Sequence, residues 1–213
     1  DSRVAGTLAV ARAVAAAGTP VLLSASAIGL YGDTGDRLTD ETGPVGKGFL
    51  ASLCRDWEAA TAPAADAGTR VVHLRTGIVL AGHGGALQVQ VRLAKVGLLA
   101  PLGAGDQWVS WISLPDEAAA IRHLLTAEVR GPVNLVSPAP VTNRDFTKAL
   151  NALLHRPTPP VGVPRLALRA ALGEFADDAL KGQRLVPAVL QGSGFGFMHP
   201  ELTPALQSAL RRS

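Results

Sequence analysis

The spacing of apolar residues along this chain changes several times, and each change marks an element. Residues 3–17, RVAGTLAVARAVAAA, are rich in Ala and Leu and stop at Gly18, the composition and the terminator of a helix. After Thr19-Pro20 the run VLLSASAIG is short, apolar and closed by glycine, which predicts a strand buried on both faces of a parallel sheet. From Lys47 to Ala67, residues Phe49, Leu53 and Trp57 recur every four positions and predict one apolar helical stripe, kinked or ended by Pro63. TRVVHLRTGIVLAG then predicts a second central strand that continues past Gly77. Strand, helix and strand in this order form a right-handed βαβ unit, the building block of an α/β sheet with helices on both faces. Ligands of such sheets sit beyond the carboxyl ends of the strands, here Ser24 to Gly32 and Arg75 to Leu80.

The second half is more mixed. It predicts a helix near 85–96, a short strand at QWVSWIS, a helix from Pro115 to Ala127 capped by Ser113, and a strand at PVNLVSP. Thr142 followed three residues later by Asp145 reads as an acidic capping box opening a helix through Leu154, with further helices around 164–181 and 200–212. The expected organisation is a sheet domain over 1–82, with part of 108–138 returning to it, and a smaller mixed α/β lobe over 83–213.

Composition narrows the function classes. With 47% hydrophobic residues the 213-residue chain can bury a core, and its formal charge of +3 contains no basic block. Five Phe, three Trp and one Tyr are too scattered to make a stacking platform for bases, so nucleic acid is not an expected partner. The apolar runs break before the roughly 20 residues a spanning helix requires, so neither is a membrane. The lone Cys54 excludes an internal disulfide and suits a reducing cytoplasm, and the five histidines include no i,i+4 pair, so no metal is expected.

The segment SASAIGLYGDTGD, a strand ending in serine, small residues and Tyr-Gly, resembles the catalytic-serine strand of extended short-chain dehydrogenases/reductases. GFLASLCRDWE, GTRVVHLRTGIVLA, GGALQ, LGAGDQWVSWIS, GPVNLVSPAPVTNRDF, LGEFA, GQRLVPAVL and GFGF follow in the order of the epimerase-like family of that superfamily, whose members are described as nucleoside-diphosphate-sugar epimerases. The resemblance covers nearly the whole chain. It implies a partial Rossmann-type parallel sheet plus a C-terminal substrate lobe, and an NAD(P)-linked oxidoreductase or epimerase reaction, with NADP favoured, on a small polar or sugar-nucleotide substrate.

Three departures qualify that implication. The superfamily's G-x-x-G-x-x-G turn, whose backbone N–H groups grip the pyrophosphate, does not occur here, and the chain is expected to enter in the middle of a domain. GAG at 103–105 and GSGFG at 192–196 do not open a helix after a buried strand and are no substitute. The Tyr-x-x-x-Lys pair has no counterpart, because the equivalent helix reads Phe49 to Cys54. At 110–116, Ser113 and Pro115 replace the family's polar residues and leave Asp116 alone. The chain is therefore expected to be weak or inactive as written, and the alternative function is a non-catalytic ligand-binding or interaction protein that retains the fold. A serine hydrolase would need a Gly-x-Ser-x-Gly elbow, which Ser26 lacks.

Candidate catalytic residues are Ser26, with Ser24 as a competitor, Tyr31 as proton donor or pocket wall, and Glu58 as replacement acid or base or else a solvated helix carboxylate. Ala25, Ser26, Arg75, Thr76 and Gly77 are candidates for the cofactor. Arg75 is either a phosphate or carboxylate fork or one half of an ion pair. Ala27, Gln107, Trp108 and Trp111 are candidates for the substrate, with core packing equally open for Trp111. The expected partners are a small-molecule substrate and either a second copy or a missing N-terminal segment against the unpaired sheet edge.

Overall fold

The computed structural model describes residues 2–173 and 180–211. Helix α1 (Ser2–Ala17) leads to strand β1 (Val21–Ala27), a 3-10 turn (Ile28–Tyr31), and helices α2 (Phe49–Ala59) and α3 (Ala62–Asp66). Strands β2 (Arg70–Thr76) and β3 (Ile78–Leu80) precede α4 (Gly85–Lys95). Strands β4 (Trp108–Val109) and β5 (Trp111–Ser113), helix α5 (Leu114–Thr126) and strands β6 (Gly131–Leu135) and β7 (Val141–Thr142) follow. Helices α6 (Asn143–Leu153), α7 (Arg165–Leu172), α8 (Ala188–Gly192) and α9 (Leu202–Arg211) complete the described chain.

Strands β1, β2 and β6 form a parallel sheet in the order β1-β2-β6. Alternate residues of β2 point to opposite layers. Val71 packs with Ala11 of α1 and Ala64 of α3, while Val72 and Leu74 pack with Ala120 and Leu124 of α5 and Leu190 of α8. The α/β architecture with helices on both faces is as expected. A second apolar core, in which Leu87, Phe146, Leu150 and Leu206 surround Trp111, joins α4, α6 and α9.

Caps appear where the sequence places them. Ser113 Oγ accepts from the Asp116 N–H and Thr142 Oγ1 from the Asp145 N–H, each satisfying an orphan donor of a helix first turn.

Four local expectations need correction. The strand across 69–82 is broken at Gly77: β2 pairs with β1 and β6, whereas β3 pairs with β5 in another sheet. A Cβ at Gly77 would lie 2.7 Å from the Ser110 carbonyl oxygen and 2.8 Å from Val136 Cγ1, so only glycine lets the chain cross there. QWVSWIS likewise divides at Ser110, where β4 pairs with β7 and β5 with β3. The stripe of Phe49, Leu53 and Trp57 is not the buried face of α2, since Phe49 is 76% exposed and the buried residues are Ala51 and Cys54. Small side chains at 51 and 54 let the helix lie close to the sheet, and Trp57 turns instead to α1, donating its indole N–H to Thr7. Pro63 sits inside α3, after the longer helix has ended at Ala59. Of the helix expected over 164–181, residues 174–179 lie outside the described residues, as does the LGEFA motif in part, and residue 212 of the last helix does too.

Candidate functional site

The register of the parallel sheet aligns Ser26 with Arg75 and Arg75 with Asn134, so one row crossing three strands carries hydroxyl, guanidinium and amide on the same face. One row earlier, Ser24 is beside His73. The face is polar but buried, because α2 lies over it and brings Glu58 down one turn after Cys54.

Glu58 is the centre of the resulting network. Arg75 Nε donates to its Oε1 at 2.8 Å and Nη2 to its Oε2 at 2.9 Å, and Ser26 Oγ donates to Oε1 at 2.7 Å. Burial alone would raise the Glu58 pKa, but the Arg75 and Ser26 hydrogen bonds and the Arg75 charge outweigh it and hold the carboxyl below its ordinary value. Arg75 answers in the same way: burial opposes its charge, yet the bonds to Glu58 and Tyr31 leave its pKa raised. Burial lowers the pKa of His73, which hydrogen-bonds Thr61 Oγ1 through Nε2 at 2.9 Å and faces Glu58 with Nδ1 at 3.9 Å.

Tyr31 is reached from the 3-10 turn. Its hydroxyl accepts from Arg75 Nη1 at 2.8 Å and donates to Asn134 Oδ1 at 2.7 Å, and burial raises its pKa. With 2% of its surface exposed and its proton committed to Asn134, Tyr31 acts as a strut, not as a proton donor or pocket wall. Arg75 Nη1 also donates to the Glu41 carbonyl at 3.2 Å, while the Glu41 carboxylate accepts from the Asn134 and Val189 backbone N–H groups. The fork of Arg75 is thus consumed inside the protein, which removes it as a phosphate ligand and selects the ion-pair alternative.

On the opposite face, Thr76 donates to Glu117 Oε1 at 3.0 Å. Burial lifts the Glu117 pKa to about 7, and its Oε2 has no hydrogen-bond partner among the described residues. Beside it Asp116 clamps the distal chain, accepting from the N–H groups of Met198 at 2.6 Å and His199 at 3.0 Å and from Ser113 Oγ at 2.7 Å.

Beyond the end of β1 lies a cavity of about 350 Å³, walled by Ile28, Gln90, Gln107, Trp108, Phe146 and Gln183 among others. Of the substrate candidates it contains Gln107 and Trp108. Trp111 is fully buried in the second core with its indole N–H on the Ala139 carbonyl, so packing is its role. Ala27 lies at the carboxyl end of β1, immediately before Ile28. Ser26, Tyr31, Glu58 and Arg75 do not line the cavity.

The sequence reading missed Glu41, Glu117, Gln90 and Gln183. Glu117 could have been suspected as an acid in the first turn of a helix adjoining a strand end; Glu41 sits in a loop and carries no such signal. The alternation S-A-S and H-L-R, read with Asn134, was the trace of a buried polar row. Among the described residues no group of three or more His, Cys, Asp or Glu could hold a metal ion, and no helix is long and apolar enough to cross a membrane.

A parallel sheet flanked by helices, with polar side chains aligned near its strand ends and a cavity beyond one of them, is a Rossmann-like α/β architecture. Comparisons with known proteins agree and go further. The chain is 50% identical over 214 residues to the epimerase family protein Mb2239 of Mycobacterium bovis, covering 100% of itself and 71% of that protein. An Arabidopsis thaliana relative, the chloroplastic homolog of epimerase family protein SDR39U1, is 38% identical over 192 residues, covering 90% of this chain and 55% of its own length. Human epimerase family protein SDR39U1 (isoform 2), solved with NADPH, superposes with a TM-score of 0.92 at 30% identity, over 100% of this chain and 73% of that one. A structure described as the nucleoside-diphosphate sugar epimerase of Corynebacterium glutamicum gives a TM-score of 0.80 at 38% identity, over 98% and 41% of the two chains. Residues 163–209 match the family described as "Domain of unknown function (DUF1731)", which is the C-terminal part of such proteins. The chain belongs to the epimerase family typified by SDR39U1.

Proposed function

We propose that this chain is part or all of an NAD(P)-dependent, epimerase-like oxidoreductase acting on a small polar or sugar-nucleotide substrate. The observation that carries the reading is the likeness, over the whole chain, to the human relative solved with NADPH, which also favours NADP. A cytoplasmic location is proposed with it.

The residues present fit one end of such a cofactor. Ala25 to Ala27 and Thr76 stand in register at the carboxyl ends of β1 and β2, and Ala25 is exposed on a strand edge that, among the described residues, pairs with no further strand. Arg75 and Gly77 do not fit, since one is consumed by Glu58 and the other by the crossing between sheets. When bound, the cofactor supplies the group that accepts and returns a hydride. Ser26, 5% exposed and donating to the ionised Glu58, is a positioning residue that fixes the carboxyl end of β1, where the chain passes through Ala27 to the cavity wall at Ile28. Tyr31 is a positioning residue acting through Arg75. Residues 1–213 on their own are proposed to turn over weakly or not at all, because no glycine turn of the phosphate-gripping type occurs in them.

Calorimetric titration of NADPH, then NADH, into this chain and into the 50%-identical mycobacterial relative tests the reading. Saturable NADPH binding by the relative, at least tenfold weaker in this chain, is expected. No heat from either protein with either nucleotide overturns it. One observation favours the second reading, ligand binding without turnover: Arg75 holds Glu58 well ionised and makes it a weak proton acceptor. NADPH consumption by this chain with a small polar carbonyl substrate would exclude that second reading.

A further inference from the structure

The cavity beyond β1 is distinctive in the kind of hydrogen bonds it leaves unmade. Four amide side chains line it, Gln90, Gln107, Asn143 and Gln183. For three of them the orientation follows from a partner with only one possible role. Gln107 Nε2 donates to the Leu102 carbonyl at 3.1 Å and Gln183 Nε2 to the Gly32 carbonyl at 2.8 Å, so both keep their carbonyl oxygens. Asn143 Oδ1 accepts from the Leu102 N–H at 2.8 Å, so it keeps its NH₂ group. Gln90 Oε1 is buried and has no partner among the described residues, which is costly unless something fills the cavity and donates to it. The Ser110 hydroxyl is already satisfied, donating to the Gln183 backbone carbonyl and accepting from the Leu185 N–H. Because each NH₂ carries two N–H groups, Gln107 and Gln183 each offer a carbonyl oxygen and one N–H, Asn143 offers its NH₂ and Gln90 its oxygen, so the lining presents acceptors and donors together, the complement of hydroxyl groups, which do both.

Charge points the same way. Lys181 is the single cation among the lining residues, and it has an interaction of its own. An adjoining cleft of about 370 Å³, which shares Gln107 and Trp108 with the cavity, is lined by Asp33, Asp36 and Asp106 and by no Lys or Arg. Of the nearby guanidinium groups, Arg184 stacks on the Trp108 ring at 4.1 Å and donates to the Asp36 carbonyl, with its Nε unpaired among the described residues, and the half-exposed Arg144 donates to the Ala104 carbonyl and lies 3.9 Å from Asp106. A diphosphate needs paired cations or convergent N–H donors, and the cleft that its tail would enter presents three carboxylates and, among the described residues, no such pair in its lining.

We infer that the cavity takes a neutral, polyhydroxylated small molecule, donating hydroxyl protons to Gln90, Gln107 and Gln183 with Trp108 against its carbon face, and does not take a nucleoside-diphosphate sugar. The inference rests on the proposed NAD(P)-dependent reading and narrows its substrate class. The amide set suits a neutral, hydroxylated ligand, and the carboxylates beside it repel an anionic tail.

Saturation-transfer NMR of the protein with glucose, galactose, mannose and myo-inositol, and in parallel with UDP-glucose and UDP, tests this. At least one neutral probe is expected to bind, and Gln90→Leu is expected to weaken it roughly tenfold with no fall in Tm, because Gln90 Oε1 has no hydrogen-bond partner among the described residues. Gln90→Glu, which keeps an acceptor, is expected to retain binding. Saturable UDP-glucose binding displaced by UDP overturns the inference, as does failure of all four neutral probes or equal binding by the Leu variant. NADPH titration of the same samples keeps the two readings apart. NADPH binding together with UDP-glucose binding sinks the substrate class and leaves the cofactor reading standing, whereas neutral-probe binding with no NADPH binding by any family member does the reverse.

Discussion

The Glu58–Arg75 pair offers the sharpest test of the buried polar row. Their side chains are 12% and 9% exposed, so each charge is largely out of water and depends on the other. Glu58→Gln keeps the shape and one acceptor but removes the charge and sets an NH₂ group against an Arg75 nitrogen. Breaking a buried pair by removing one partner costs about 3–5 kcal/mol, and the bonds Arg75 retains to Tyr31 and the Glu41 carbonyl place this case near the lower end, about 3 kcal/mol. In urea unfolding with a slope of about 2 kcal/mol per molar, the midpoint should fall by roughly 1.5 M. The pH dependence gives a second readout. Because the folded Glu58 titrates below its ordinary 4.5, its stabilisation is complete above that value and is lost as pH falls through the folded pKa. The gap between wild type and variant should therefore be widest near neutral pH and close in acid. A loss under about 1 kcal/mol at pH 7, or a gap that persists unchanged at pH 3, would refute the ion-pair account.

Three further outcomes follow from other parts of the structure. Glu117, with its folded pKa near 7 against an ordinary 4.5, releases its proton more readily when unfolded, so stability should decline as pH rises from about 4.5 to 7. Glu117→Gln should abolish that decline and gain up to about 3 kcal/mol at pH 8 in thermal unfolding; identical pH profiles would contradict the burial argument. Gly77→Ala should cost roughly 1–3 kcal/mol by forcing a methyl against Ser110 and Val136, and a variant with unchanged Tm would show that the crossing is not tight. Asp116→Asn should destabilise by about 1–3 kcal/mol and speed hydrogen exchange at the Met198 and His199 amides, which now donate to the carboxylate. Unchanged exchange there would mean that the clamp does not hold the distal segment.

Much of the frame is legible in local pattern. Helix α1, strand β1, the caps Ser113 and Thr142 and the helices they open follow from residues within a few positions of one another, because capping and periodicity are short-range effects. The order of motifs is enough to indicate the family, since each is a short run whose spacing survives in the linear chain. Where α2 buries its surface is not legible in this way. Periodicity favours the large residues Phe49, Leu53 and Trp57, but the sheet accepts the small face of Ala51 and Cys54, a choice that depends on the space left by the partner surface.

The sequence alone establishes an α/β chain, its helix starts, its strand cores and its membership among epimerase-like proteins, all carried by periodicity and short motifs. Tertiary structure settles which polar residues meet. Ser26, Glu58, Arg75 and Asn134 are dispersed over more than a hundred positions, and only parallel register and the seating of α2 turn them into one network. Strand pairing also sends the chain across Gly77 into a second sheet, and packing withdraws Tyr31 and Trp111 from the site while bringing Gln90 and Gln183 to it. Contacts of that range depend on which surfaces can be buried together without leaving a charge or a hydrogen bond unmatched, and a linear pattern does not record that condition.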